Sequence, residues 1–267
     1  MNCLNSSCMQ ETAEAPLLLI KAVWWHYRYT GDTAYLAENY PKVVKLLDVY
    51  RRSYERDGLI CELDKWCVVE WPKEYRDGYD VDLKEGQVCH EPHIEPNAFY
   101  LEDIRLANRM ADALSLPPYR DEAPIRDAFL KAFYLPERHL FRDSVRTDHV
   151  SLIGNVFAFG YGLCPDAACE EAVWSMIRAR GISSVYIFGA FPILEGMIRS
   201  GREGQIAEML RDEGAWMRML REGATTTFEG WGKETKWNTS LFHLTVFYAA
   251  VFLADIDHSY LFGDFTM

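Results

Sequence analysis

The sequence predicts an all-α fold, and three features carry that expectation. Apolar residues recur at helical spacing in one stretch after another, as in Val43, Leu46, Leu47, Tyr50 and Tyr54, or Tyr100, Ile104, Ala107, Ala111 and Leu114. The breaks between these stretches are mostly short, which favours antiparallel helical hairpins. Neither a series of short alternating strands nor a clean repeat of about 20–50 residues is present, so an all-β fold and a solenoid of identical repeats both fit poorly.

The first helix is expected over Thr12–Tyr29, closing at Thr30-Gly31-Asp32, where Gly31 can take the left-handed stop position. Pro41 suits the first turn of a second helix, which Asp57-Gly58-Leu59 then closes. The connection that follows, up to residue 95, reads as irregular, with short strands around Leu59–Leu63 and Trp66–Trp71. Pro96 restarts a helix, and others are expected at 121–134, 148–163, 166–180, 184–201, 203–222 and 238–255. Gly201 and Gly223 are natural C-terminal stops, and Ser183 or Ser184 a natural N-cap. The total is about nine helices.

At 267 residues a single domain is the default. Apolar residues make up 49% of the chain and aromatic ones 14%, the composition of a folded globular protein. The formal net charge of -12 carries no basic cluster, which argues against nucleic acid and against anionic membrane surfaces as partners. The seven cysteines, among them Cys3, Cys8, Cys61, Cys67, Cys164 and Cys169, show no CxxC spacing and read as free thiols in a reducing compartment. No signal-peptide pattern opens the sequence, and LLLIKAVWW is interrupted by Lys21 and too short to cross a bilayer. A soluble, cytoplasmic protein is the expectation.

Two long, aromatic-rich connections, residues 57–95 and 223–237, are where functional groups are expected to collect on a helical scaffold. The second begins ATTTFEGWGKETKWNTSLFH at Ala224 and sets Glu229 between Phe228 and Gly230, with Trp231, Glu234 and Trp237 close behind. The first offers Glu70 between Val69 and Trp71, with Trp66 nearby, then Asp80, Asp82, Glu91 and Glu95. Aromatic neighbours stack on sugar rings and desolvate carboxylates, and glycoside hydrolysis needs a pair of carboxylates. This pattern fits carbohydrate processing; carboxylates on a rim beside interfacial aromatics would look the same.

CHEPHIE brings His90, Glu91, His93 and Glu95 together, but the spacing is not HExxH and Pro92 and Pro96 interrupt the helix such a metal site needs. No metal is expected there. His243 is expected in the last helix among apolar neighbours, a setting that suits a core histidine. GxSxG, P-loop and GxGxxG units are absent, so acyl-enzyme hydrolysis and nucleotide binding lack support.

Several segments, in order, resemble the α-L-rhamnosidases of glycoside hydrolase family 78, in their six-hairpin (α/α)6 catalytic domain. They are HYRYTGDTAYLAENYPKVVKLLDVY, DGLICELDKWCVVEWP, EPNAFYLEDIRLANRMADAL, HVSLIGNVFAFGYGL, SSVYIFGAFPILEGMIRSGR, and GATTTFEGW followed by SLFH. Each is loose alone; the order and spacing make the resemblance specific from about residue 12 to about 255. It implies an (α/α)6 toroid with a sugar pocket at one end and an inverting mechanism whose general base matches Glu229. It also matches Glu70 and Trp71 to a sugar-binding strand, with Trp66, Trp231 and Trp237 shaping the sugar subsite. Asn97, Asn155 and His243 match pocket-wall positions, although Phe242 stands where the family often has a cysteine.

The front of the chain departs from the family. Its general acid lies in an acidic motif upstream of the helix ending in TGD, and MNCLNSSCMQETAE holds no such motif, only Glu11 and Glu14. About nine helices against the twelve of a complete toroid points the same way. The expectation is therefore one six-hairpin domain over residues 1–267 that lacks its first few helices and its acid. It is either a terminal α-L-rhamnosidase completed by a separate N-terminal segment, or a non-catalytic sugar-binding remnant. A six-hairpin glycosidase for another sugar is a third reading, since a fold does not fix a substrate. The partner is a rhamnose-containing glycoside, with self-association open because an incomplete toroid exposes an apolar wall. No cofactor is implied, and a Ca²⁺ ion stays open.

Overall fold

The structure is a computed structural model that describes residues 12–65, 67–70, 73–79, 90–235, 237 and 239–243. The all-α expectation holds: the described residues form nine α-helices, and their strands are two residues long. The chain divides into two compact units, one of Met1–Val68, Asp80–Pro136 and Phe141–Val150, the other of Val69–Tyr79, Glu137–Leu140 and Ser151–Met267.

In the first unit, α1 (Ala15–Thr30) starts on Pro16 and stops where Gly31, at φ 70°, donates its N–H to the Tyr27 carbonyl at 2.7 Å. The next helix begins earlier than Pro41 suggests. Asp32 accepts the Tyr35 N–H at 2.9 Å, and α2 runs over Thr33–Ser53 with Pro41 inside it. Pro41 and Ala37, whose carbonyl loses its i+4 partner, are both exposed, so the missing hydrogen bond falls on the wet face, where water can substitute. Asp57 and Gly58, both at positive φ, form the tight turn between β1 (Glu55–Arg56) and β2 (Leu59–Ile60), which pair antiparallel. Asp57-Gly58 is thus a hairpin turn and not the end of α2.

The third helix, α3 (Ile94–Ala113), is the axis of this unit and packs on α1, α2 and α4 (Ala123–Phe133). It is buried along most of its length, including Glu95, Glu102 and Asp103. Burial, then the neighbouring Glu102 charge, pushes the Asp103 carboxyl well above the usual carboxylate range, against the pull of Lys21. A second polar group is better served: Arg120 reaches Glu55 at 2.6 Å, and the Tyr100 hydroxyl donates to the same carboxylate at 2.6 Å.

In the second unit, α5 (Leu152–Gly160) is buried throughout and packs on α6 (Ala167–Arg180) and, most extensively, on α7 (Ile187–Arg199). Glycines set the closeness of α5 and α7. A Cβ on Gly160 would lie 2.6 Å from the Pro192 Cβ and 2.7 Å from its carbonyl oxygen. The continuous helix expected at 203–222 is instead broken into α8 (Ile206–Met209) and α9 (Trp216–Arg221). The break follows from Asp212, whose carboxylate accepts the Ser183 N–H and hydroxyl and the Gly214 N–H, fixing a turn. Residues 239–243 are not helical, and the rest of the helix expected at 238–255 lies outside the described residues. No described helix is long and apolar enough to cross a membrane.

Two outcomes are expected. Gly160→Ala gains helix propensity but forces the α5–α7 contact apart, so it lowers stability by about 1–3 kcal/mol, read from denaturant unfolding. Glu55 is an acid-sensitive group of this unit. Burial alone would raise its pKa, but the Arg120 and Tyr100 hydrogen bonds and the Arg120 and Arg51 charges outweigh that and leave it lowered. A lowered carboxyl stabilises the fold above its unfolded pKa of about 4.3 and loses that contribution as pH falls through the lower folded value. Glu55→Gln flattens the acid limb of Tm against pH in that window.

Candidate functional site

The two carboxylates singled out from the sequence fall in the second unit and have different surroundings. Glu70 is fully buried, and its Oε2 accepts two backbone N–H groups, from Tyr186 at 3.0 Å and Gly189 at 2.8 Å. These are the N-cap and third residues of α7, which has no capping side chain of its own. Glu70 therefore supplies that cap, placing a negative charge at the positive end of the helix. Gly189 makes the approach possible, because a Cβ there would lie 2.9 Å from the carboxylate oxygen. Ser183 and Ser184, the caps expected from sequence, are engaged elsewhere: Ser183 with Asp212, and Ser184 with the Arg180 carbonyl.

The segment after Glu70 adds an acceptor at the start of α5, which already has its own cap in Ser151, whose hydroxyl accepts the Gly154 N–H at 3.0 Å. Asp77 accepts the Leu152 N–H at 2.7 Å and pairs with Arg180, while Arg76 donates to the Glu70 carbonyl at 2.6 Å. Residues 67–70 form no strand, and Trp66 and Trp71, with Asp80 and Asp82, lie outside the described residues.

Glu229 is half-buried on a turn that is pinned at two levels. The Thr227 hydroxyl donates to the His243 carbonyl at 2.7 Å, and the His243 N–H to the Thr227 carbonyl at 2.9 Å. Inside that pair, the Glu229 N–H donates to the Ser240 carbonyl at 2.7 Å, and the Ser240 N–H to Glu229 Oε2 at 2.9 Å. The carboxylate is thus oriented by the strand-like partner of its own backbone. Two glycines admit bulky neighbours against this turn: Gly230 faces Tyr186, and Gly232 faces the Arg218 guanidinium. His243 shares the turn with Glu229 rather than sitting in a helix.

The aromatic residues split. Trp231 is fully buried, donates its Nε1–H to the Val185 carbonyl at 2.6 Å, and meets Trp216 edge-on at 4.7 Å. Trp237 is 94% exposed. Asn155 is buried in α5, its side-chain amide donating to the Ser151 carbonyl. In the first unit, the Asn97 amide exchanges hydrogen bonds with both backbone groups of Ile60 and donates to the His93 carbonyl. Glu14 accepts the Val68 N–H at 2.7 Å and is buried. The structure thus brings Glu229, Trp231 and His243 onto one connection. Ser240 and Tyr186, which touch the Glu229 turn, carry no local sequence signal beyond lying in the SLFH and SSVYIFG segments.

Known proteins resemble this chain in both sequence and fold. A family model described as the bacterial alpha-L-rhamnosidase six-hairpin glycosidase domain matches residues 7–253. An alpha-L-rhamnosidase of Formosa agariphila is 24% identical over 159 residues, covering 56% of this chain and 15% of that protein. A family GH78 rhamnosidase of Bacillus sp. GL1 superposes with a TM-score of 0.72 at 18% identity, over 91% of this chain and 26% of its own. A rhamnosidase from Klebsiella oxytoca, solved with rhamnose bound, gives 0.68 at 14% identity, over 91% of this chain and 47% of its own. The Streptomyces avermitilis alpha-L-rhamnosidase, complexed with L-rhamnose, gives 0.61 at 21% identity, over 89% of this chain and 22% of its own. The chain spans less than half the length of each of these proteins.

The role of Glu70 as a cap has a measurable consequence. Glu70→Ala strands two buried N–H groups and lowers stability by about 2–4 kcal/mol, whereas Glu70→Gln keeps an acceptor and costs about 1 kcal/mol, both by chemical denaturation.

Proposed function

The chain belongs to the family of bacterial alpha-L-rhamnosidase six-hairpin glycosidase domains, and from that premise we propose that it hydrolyses terminal α-L-rhamnosides by inversion, with Glu229 as the general base. The observation that supports this most is the bracketing of Glu229: a half-buried carboxylate held between Thr227–His243 and Ser240 pairs, on the turn that matches the family's base segment. In such a reaction the base takes a proton from water as its oxygen attacks the anomeric carbon. A second carboxyl protonates the departing glycosidic oxygen, about 6.5–9.5 Å from the first. A fixed carboxylate suits the first task because orientation is most of what the base must supply.

Glu14, the described carboxylate nearest the chain's front, is buried and accepts the Val68 N–H. The substrate class, a rhamnose-containing glycoside, rests on the relatives, two of which hold rhamnose in their structures. Trp237, exposed on the same connection as Glu229, is the aromatic face best placed to meet a sugar; Trp231 supports that connection from inside. Trp66, Trp71, Asn97, Asn155 and His243 keep, as proposals, the sugar-contacting roles that the resemblance implies.

An aryl α-L-rhamnoside is the substrate for the test, since its leaving group needs little protonation. Glu229→Gln is expected to lower kcat by about 10²–10⁴-fold on it. A rate equal to that of the unmodified protein would remove Glu229 from the role. Calorimetric binding of L-rhamnose without any turnover would replace hydrolysis by sugar binding.

A further inference from the structure

Tyr186 carries a hydroxyl that no described residue hydrogen-bonds. The residue is 2% exposed, its ring centroid lies 5.2 Å from that of Tyr75, and its N–H is held by Glu70. The hydroxyl oxygen is nevertheless buried without a hydrogen-bond partner among the described residues. A phenylalanine would fill the same space and spare the fold an unpaired buried donor, so packing gives no reason for the oxygen.

The surroundings of that oxygen point to Glu229. A Cβ on Gly230, the residue after Glu229, would lie 2.6 Å from the Tyr186 hydroxyl oxygen and 2.7 Å from its ring, so the hydroxyl rests against the backbone of the Glu229 turn. Burial, then the charges of Glu229, Glu70 and Tyr75, push the Tyr186 pKa up, which keeps the group a neutral O–H donor in a negative field. Of the two carboxylates in that field, Glu70 is engaged with the α7 N-terminus through Oε2. Glu229, whose Oε2 accepts the Ser240 N–H, is the one on the half-exposed turn that Tyr186 lies against.

We infer that Tyr186 is a positioning residue for Glu229: once sugar and water occupy the site, its hydroxyl donates to the Glu229 carboxylate and holds that carboxylate toward the attacking water. The inference rests on Glu229 being the base. Hydrogen bonds at catalytic groups commonly tighten in the complex with substrate.

The test compares the unmodified chain with Tyr186→Phe, Glu229→Gln and the double variant, by steady-state kinetics on an aryl α-L-rhamnoside, L-rhamnose calorimetry and thermal melting. Tyr186→Phe is expected to lower kcat about 10-fold with KM unchanged within a factor of about two, and to melt at the same or a higher temperature. The double variant is expected to be no slower than Glu229→Gln alone, because Tyr186 acts only through that carboxylate. The inference is overturned if Tyr186→Phe keeps the full kcat, if its losses come with a lower melting temperature, or if the two effects multiply. Should Glu229→Gln be fully active, or the unmodified chain neither bind nor hydrolyse, the reading of Glu229 itself falls and takes this one with it. An active chain with a dead Glu229→Gln and an unaffected Tyr186→Phe overturns the Tyr186 role alone.

Discussion

One buried carboxylate organises the second unit: Glu70 on the N-terminus of α7. A charge with no access to water survives only where hydrogen bonds replace hydration, and two N–H groups at a helix terminus provide them together with the helix field. Because Glu70 fixes where α7 begins, it fixes Val185 just before it. The Val185 carbonyl in turn anchors the Trp231 indole, two residues beyond Glu229. Asp77 adds an acceptor at the start of α5, which Ser151 also caps, so one short segment reaches the starts of two helices that pack closely on each other.

The Glu229 turn is built by the same logic at smaller scale. Its polarity, odd beside so many aromatic residues, is absorbed internally: Thr227, Glu229, Ser240 and His243 satisfy one another's backbone groups. Its glycines give up side chains so that Tyr186 and Arg218 can lie against the backbone. A carboxylate on such a turn is held without being sealed off. That combination separates it from Glu70, a carboxylate of the same type in a similar aromatic stretch.

The helices were legible where their determinants are local. Gly31 stops α1, Asp166 caps α6 by accepting the Cys169 N–H, and periodic apolar residues mark α3 and α4 within a few residues of their ends. Pro41 misled because a proline on the exposed face can sit inside a helix that a stronger cap, Asp32, has already begun. The break at Asp212 was hidden because its cause, Ser183, is distant in sequence. At the candidate site, the residue types and their clustering were readable. The cap made by Glu70 was not, since nothing near Val69 or Trp71 announces a helix terminus 116 residues away. Trp231 has the sequence look of a sugar platform, yet its indole N–H is spent on a carbonyl inside the core.

That separation of 116 residues bears on how the chain reaches its native state. An N-cap supplied by an adjacent serine forms with the first helical turn, whereas α7 must wait for a partner far back along the chain. Closing so large a loop is entropically costly before any contact repays it, and contacts of high sequence separation slow folding. During synthesis Glu70 emerges well before residues 186–189, and has no helix terminus to bind until they follow. The carboxylate that stabilises the finished unit is, until then, a solvated charge waiting at the wrong end of a long search.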